Sequence, residues 1–146
     1  MKFGGGGVMV WGAISARGTG MLKTITGTLN SEGYLGILRD YLIPTAHMLG
    51  YGACFYLQDD GAPCHRSRLV TDWKSEQTFQ CLIWPPQSPD LNPIENVWAD
   101  MKRHLCNNPQ GTKDDLEREI RRYWDTIGMP ARIRECLAAA GGHTRY

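Results

Sequence analysis

The chain has 146 residues, 42% hydrophobic and 21% charged, with 16 Lys and Arg against 15 Asp and Glu for a net charge of +1. That size and balance describe one ordinary globular domain and exclude a disordered or collagen-like segment. No run approaches the roughly eighteen uninterrupted apolar residues of a membrane span, and the start lacks a basic stretch followed by an apolar one, so the sequence reads as soluble and not exported.

Residues 4–7 are all glycine, with no Lys-Ser/Thr and no helix behind them, and read as a flexible start, not a phosphate loop. Residues 8–15 are β-rich, 16–20 carry a turn signal and 21–26 are β-branched again, which predicts a hairpin. From Ser31, a plausible N-cap, Tyr34, Leu35, Leu38, Tyr41 and Leu42 recur at helical spacing until Pro44 kinks or ends the element. Residues 53–57 are a continuous apolar run, the pattern of a central strand covered on both faces, terminated by Asp59, Asp60 and Gly61. A helix over 65–77 follows, with Leu69, Val70 and Trp73 inward, then a strand over 79–84 stopped by Pro85 and Pro86.

Further on, Asn92 is a predicted N-cap with Pro93 at the first helical position, and Ile94, Val97, Trp98, Met101 and Leu105 form one apolar stripe. Thr112 and Asp115 resemble a capping box ahead of Leu116, Ile120, Tyr123, Trp124 and Ile127, and Pro130 opens a short last helix through Ile133 and Leu137. The order predicts an α/β chain, a mixed sheet flanked by helices.

Trp11, Trp73, Trp84, Trp98 and Trp124 read as core, not as base-stacking platforms. The five cysteines, Cys54, Cys64, Cys81, Cys106 and Cys136, are odd in number and lack a C-x-x-C pair, which argues against a disulfide framework or zinc knuckle and for reduced, mostly core thiols. Charge is uneven: residues 1–101 carry net −2 and residues 102–146 net +3. That permits DNA binding without requiring it.

Two carboxylates stand out, Asp60 at the end of the 53–57 strand and Glu95 in the first turn of the helix opened by Pro93, with thirty-four residues between them. A fold that pairs those two ends aims both acids at one point, and paired hard oxygen donors suit Mg²⁺ or Mn²⁺. Each has an ordinary alternative. Asp60 could simply end a strand at a Gly-containing turn. Glu95 sits where a capping box places its glutamate, and spacing alone does not separate capping from ligation. The strand pleat turns Asp59 away from Asp60, into a supporting or solvated place. His65, Arg66 and Arg68 face DNA phosphates or form a solvated helix face; Lys102 and Arg103, beside His104, are weaker DNA-contact candidates.

Four motifs carry a resemblance: V-M-V-W-G-A-I-S at 8–15, Q-D-D-G-A-P-C-H at 58–65, W-P-P-Q-S-P-D-L-N-P-I-E-N-V-W at 84–98, and the ending G-G-H-T-R-Y from 141. Together they resemble the catalytic domain of Tc/mariner-type DNA transposases, of the DDE recombinase class. Pro63 and His65 fall at the family's places only if Asp60 is its acid, so the resemblance implies Asp60 and Glu95 as catalytic, metal-binding residues, with Mg²⁺ or Mn²⁺ as cofactor. It further implies a ribonuclease H-like fold, here lacking its first strand, DNA at transposon ends and target sites as partner, a second copy as a candidate partner, and a nuclear site of action. The family's third acid and its helix-turn-helix modules have no counterpart in 1–146, which is expected to be a single, partial catalytic domain. The rivals are an inactive relic or co-opted domain that binds nucleic acid or protein, and a metal-dependent nuclease with its third acid recruited from Asp90 or another loop.

Overall fold

The computed structural model describes residues 8–82 and 92–127, together with the backbone of Lys2 and Phe3. In strand β2 (Val8–Ser15) alternation sends Val8, Val10 and Ile14 to one face and Trp11 and Ala13 to the other. A strand apolar on both sides needs cover on both, and helices supply it. Strand β3 (Gly18–Ile25) pairs antiparallel with β2 from Met9↔Ile25 to Ser15↔Gly18, with a register shift between Gly12 and Ile14. The predicted hairpin therefore forms with a tighter turn than the 16–20 signal suggested. Arg17 at its tip donates from Nη1 to the carbonyls of Leu49, at 3.0 Å, and Gly50, at 2.6 Å. Strand β1 (Lys2–Phe3) adds to the other side of β2, Lys2 opposite Met9 and Phe3 opposite Val8. Residues 4–7 lie outside the described residues.

Helix α1 (Ser31–Ile37) is capped one residue before the expected Ser31: Asn30, in extended backbone, accepts the Gly33 N–H on Oδ1 at 2.8 Å. Pro44 does not end the element. Leu38–Leu42 widen into a π turn and α2 (Ile43–Met48) continues the helix, with Pro44 as its second residue directly after that turn. Gly50, at φ 74°, then closes α2: its N–H reaches the His47 carbonyl at 3.0 Å and the Tyr51 N–H the Ala46 carbonyl at 2.8 Å. Buried Thr45 joins α2 to the hairpin by accepting the Met21 N–H at 3.0 Å.

Strand β4 (Tyr56–Leu57) pairs in parallel with β5 (Gln80–Cys81). The expectation of a strand covered on both faces fails, because Tyr56 is 67% exposed and Ala53 and Cys54 are exposed too. Among the described residues β4 has one partner strand, so its other edge and one face stay open. A 3₁₀ turn at Pro63–Arg66 precedes α3 (Arg68–Ser75), and this later start rotates the helix: Val70 is fully buried, Trp73 partly, and Leu69, expected inward, is 45% exposed. The predicted strand over 79–84 is realised at 80–81; Trp84, Pro85 and Pro86 lie outside the described residues.

Helix α4 (Pro93–Asn107) starts as its sequence predicts, with the Asn92 side chain accepting the Ile94 N–H at 3.3 Å. In α5 (Lys113–Ile127) the Thr112 hydroxyl accepts the Asp115 N–H at 3.1 Å and donates to Asp115 Oδ2 at 2.7 Å. Val97, Trp98, Met101, Leu105, Ile120, Trp124 and Ile127 are buried together with Val8, Val10 and Leu22. The Trp98 and Trp124 rings stack at 5.3 Å, and Trp124 Nε1 donates to the Gly20 carbonyl at 2.8 Å. A second core joins Tyr34, Leu35, Leu38, Leu42, Val70 and Phe79 on the opposite face of β2, with Trp11 and Trp73 packed against it. The expectation of core thiols is corrected: Cys54, Cys81 and Cys106 are free but exposed and only Cys64 is partly buried, because these cysteines fall on outward positions of their elements. Cys136 and the helix expected after Pro130 lie outside the described residues. No helix among the described residues is long and apolar enough to cross a membrane.

Candidate active site

Asp60 stands three residues beyond β4 in the loop leading to Pro63, its side chain 60% exposed. Its Oδ1 accepts two bonds, from the Ala62 N–H at 3.1 Å and from His65 Nδ1 at 2.6 Å. The His65 bond, foremost, and the Ala62 N–H hold the carboxyl below the usual aspartate range against the opposing effect of partial burial. Asp60 is therefore ionised, and His65 Nδ1 carries the donated proton.

His65 is not open to solvent, its side chain being 13% exposed. Its ring stacks on Tyr34 with centroids 3.7 Å apart and planes 25° from parallel. Tyr34 is itself buried and donates its hydroxyl to Asp59 Oδ2 at 2.8 Å, the oxygen that also accepts from Lys74 Nζ. Burial, foremost, and the Asp59 carboxylate push the Tyr34 phenol far up, so it remains a donor. Asp59 thus faces α1 and α3 while Asp60 faces out, although β4 ends at Leu57 and no strand pleat reaches either residue. Nothing in the sequence pointed to Tyr34 or Lys74, since Tyr34 lies on the apolar stripe of α1 and Lys74 on a polar helix face.

Glu95 occupies the first turn of α4 and is partly buried. The cap there is made by the Asn92 side chain; among the hydrogen bonds of the described residues there is no return bond from the Glu95 carboxylate to the Asn92 N–H. A cavity of about 440 Å³ lies between β2, β4 and the start of α4, and its wall includes Leu57, Gln58 and Asp59 on one side and Asn92, Pro93 and Ile94 on the other. Asp60 and Glu95 each follow directly on a stretch of that wall, and neither lines the cavity itself. Among the described residues no three His, Cys, Asp or Glu side chains group closely enough to hold a metal ion, and Asp90 lies outside them.

The basic candidates divide. His65 is turned inward, as above. Arg66 lies over Gly61, where an added Cβ would come within 2.3 Å of its Nη2. Arg68 is 94% exposed and pairs loosely with Asp72 at 3.5 Å. Lys102 and Arg103 are exposed on the outer face of α4, with Arg103 paired to Asp100 at 2.6 Å, while neighbouring His104 bonds Glu119 at 2.7 Å.

Comparison with known proteins gives this geometry a context. Residues 4–117 match the family of DDE superfamily endonucleases. The transposable element Tcb1 transposase of Caenorhabditis briggsae is 34% identical over 100% of this chain and 57% of its own length. The Tc3 transposase of Caenorhabditis elegans is 34% identical over 99% of this chain and 47% of its own. The chain thus spans about half the length of the curated relatives it matches. Among solved structures, the Mos1 mariner paired end complex with Mn superposes with a TM-score of 0.72 at 21% identity, over 94% of this chain and 45% of that one. The Mos1 transposase catalytic domain with Raltegravir and Mn gives 0.69 at 20%, over 95% of this chain and 78% of that one. The fold is the ribonuclease H-like fold of that domain, and the chain belongs to the DDE superfamily endonucleases.

Proposed function

We propose that this chain forms part of the catalytic core of a DNA transposase, which cleaves DNA at transposon ends and joins the freed 3′-hydroxyl to target DNA without a covalent enzyme intermediate. The observation that carries this reading is that the segments leading into Asp60 and into Glu95 line one cavity. Both side chains offer hard carboxylate oxygens, and Asp60 has one oxygen held by His65 and Ala62, which fits ligation of Mg²⁺ or Mn²⁺. When bound, such ions supply charge neutralisation at the attacking and leaving oxygens of the phosphodiester. Asp60 and Glu95 would hold them, and Asp59, tied to Tyr34 and Lys74, would not. Residues 1–146 are one partial catalytic domain in this reading, with the third carboxylate coming from outside the described residues.

DNA is the proposed partner, with Arg66, Arg68, Lys102 and Arg103 as phosphate contacts, a second copy of the chain as a further partner and the nucleus as the site of action. The relatives named as transposases and the Mos1 complex with paired ends support this assignment. The second reading is a relic or co-opted binding domain, in line with the lack of a third grouped metal-ligating side chain among the described residues.

Plasmid nicking and strand transfer with Mn²⁺ decide between them, using residues 1–146 alone and the same chain fused to the amino-terminal part of the Tcb1 transposase. We expect no strand transfer and at most feeble nicking from 1–146, and activity from the fusion that Asp60→Asn or Glu95→Gln abolishes. An inert fusion supports the relic, strand transfer by 1–146 alone requires a third acid within it, and a fusion indifferent to both substitutions removes the two acids from the site.

A further inference from the structure

Asp60 presents a difficulty for any ligand role: it is a carboxylate 60% exposed on a loop, and an exposed side chain on a loop is free to leave the geometry a ligand must keep. An isolated surface ion pair does not remedy this, being worth little. The pair with His65 is of another kind. The histidine side chain is 13% exposed, and its ring is stacked at 3.7 Å on Tyr34, which is 1% exposed. Tyr34 is in turn fixed by its bond to Asp59 at 2.8 Å, and Lys74 Nζ ties Asp59 to the His65 carbonyl, 3.5 Å away. The imidazole is therefore clamped on its face and at its backbone, and the edge carrying Nδ1 is left to meet Asp60.

We propose that His65 is a positioning residue for Asp60: held by Tyr34, Asp59 and Lys74, its Nδ1–H fixes Oδ1 of the carboxylate and so aims Oδ2 at the cation. Outer partners of this type set the orientation of ligating carboxylates. The inference rests on the reading of Asp60 as a metal ligand. It also revises the sequence expectation for His65, which takes a carboxylate as its partner in place of a DNA phosphate.

The test is Mn²⁺ uptake by residues 1–146, measured from the free-ion electron paramagnetic resonance signal, with urea unfolding of each variant in parallel. His65→Ala should weaken uptake by about 10- to 100-fold, the usual cost of losing an outer partner, and His65→Asn, whose amide nitrogen falls near Nδ1, should restore it to within about threefold. His65→Gln, whose amide reaches the Nε2 position instead, should not. Uptake unchanged in His65→Ala but lost in Asp60→Asn overturns the positioning role and leaves the metal reading standing. Uptake unchanged in Asp60→Asn overturns both, as does absent uptake by the fusion to the amino-terminal part of the Tcb1 transposase. Where His65→Ala unfolds, the Asn and Gln variants decide alone, and equal uptake by the two defeats the proposal.

Discussion

Lys74 Nζ and the Asp59 carboxylate form an ion pair on the α1–α3 side of the sheet, with the lysine side chain 9% exposed and the aspartate 23%. Removing one member of such a pair leaves the other charge without a partner, which costs far more than the pair contributes. Lys74→Met and Asp59→Asn should therefore each destabilise the chain by about 3 kcal/mol in urea unfolding, since each strands the partner's charge. Small losses in both would mean that the charge is not what matters there.

The hairpin meets α4 and α5 closely at Gly12, where a Cβ would stand 2.7 Å from Trp124 Cη2 and 3.0 Å from Trp98 Cη2. Gly12→Ala should cost about 1–3 kcal/mol as the stacked indoles are forced apart. Trp124→Phe should cost a similar amount by leaving the buried Gly20 carbonyl without its donor, about 1–3 kcal/mol. Thermal unfolding followed by tryptophan fluorescence reads both.

The Thr112 hydroxyl, foremost, and Arg118 hold the Asp115 carboxyl below its usual range. A depressed pKa adds stability that is present above the unfolded value, about 4, and disappears as pH falls through the folded one. Stability should accordingly decline on acidification below that point, and Thr112→Val should flatten this part of the profile. An unchanged profile in Thr112→Val would remove the hydroxyl as the cause.

The start of α4 separates capping from ligation. Asn92→Ala should cost about 1 kcal/mol, since its side chain makes the cap. Glu95→Gln should change stability by no more than the ~0.3–1 kcal/mol of a first-turn charge. A larger loss in Glu95→Gln than in Asn92→Ala would return Glu95 to the cap.

DNA binding by residues 1–146 should be weak, indifferent to sequence and lost steeply with salt. Arg68→Ala should reduce the slope of log affinity against log salt by about 1, and His65→Asn should leave it unchanged, because the imidazole is turned inward. Fluorescence anisotropy on random and repeat-end duplexes measures both.

Where one residue's chemistry decides local structure, the sequence was readable: Asn92 and Pro93 start α4, Thr112 and Asp115 start α5, and β2 with β3 form the hairpin. It misled where a neighbour or a fraction of a turn decided. Asn30 outcompeted Ser31 for the cap because the adjoining residue had the same capping ability. A 3₁₀ turn ahead of α3 rotated Leu69 outward, and periodicity alone carries no signal of such a phase change. The proposal of Asp60 and Glu95 rests on spacing and flanks, whereas the clamp of Tyr34, Lys74 and Asp59 behind Asp60 left no sequence signal, being assembled from three segments that meet only in the folded chain.

The two acids answer to different cores. Asp60 is moored through His65 to the core of Tyr34 and Val70, Glu95 through its helix to that of Trp98 and Trp124, and β2 is the wall between them, with Val10 facing one and Trp11 the other. The strand works as a gauge block: with the two cores packed on its opposite faces, the separation of the elements that carry the two carboxylates depends on how thickly side chains stack on its two sides. Substitutions that swell or thin either layer, far from both acids, would retune the span while leaving each carboxylate and its own neighbours intact.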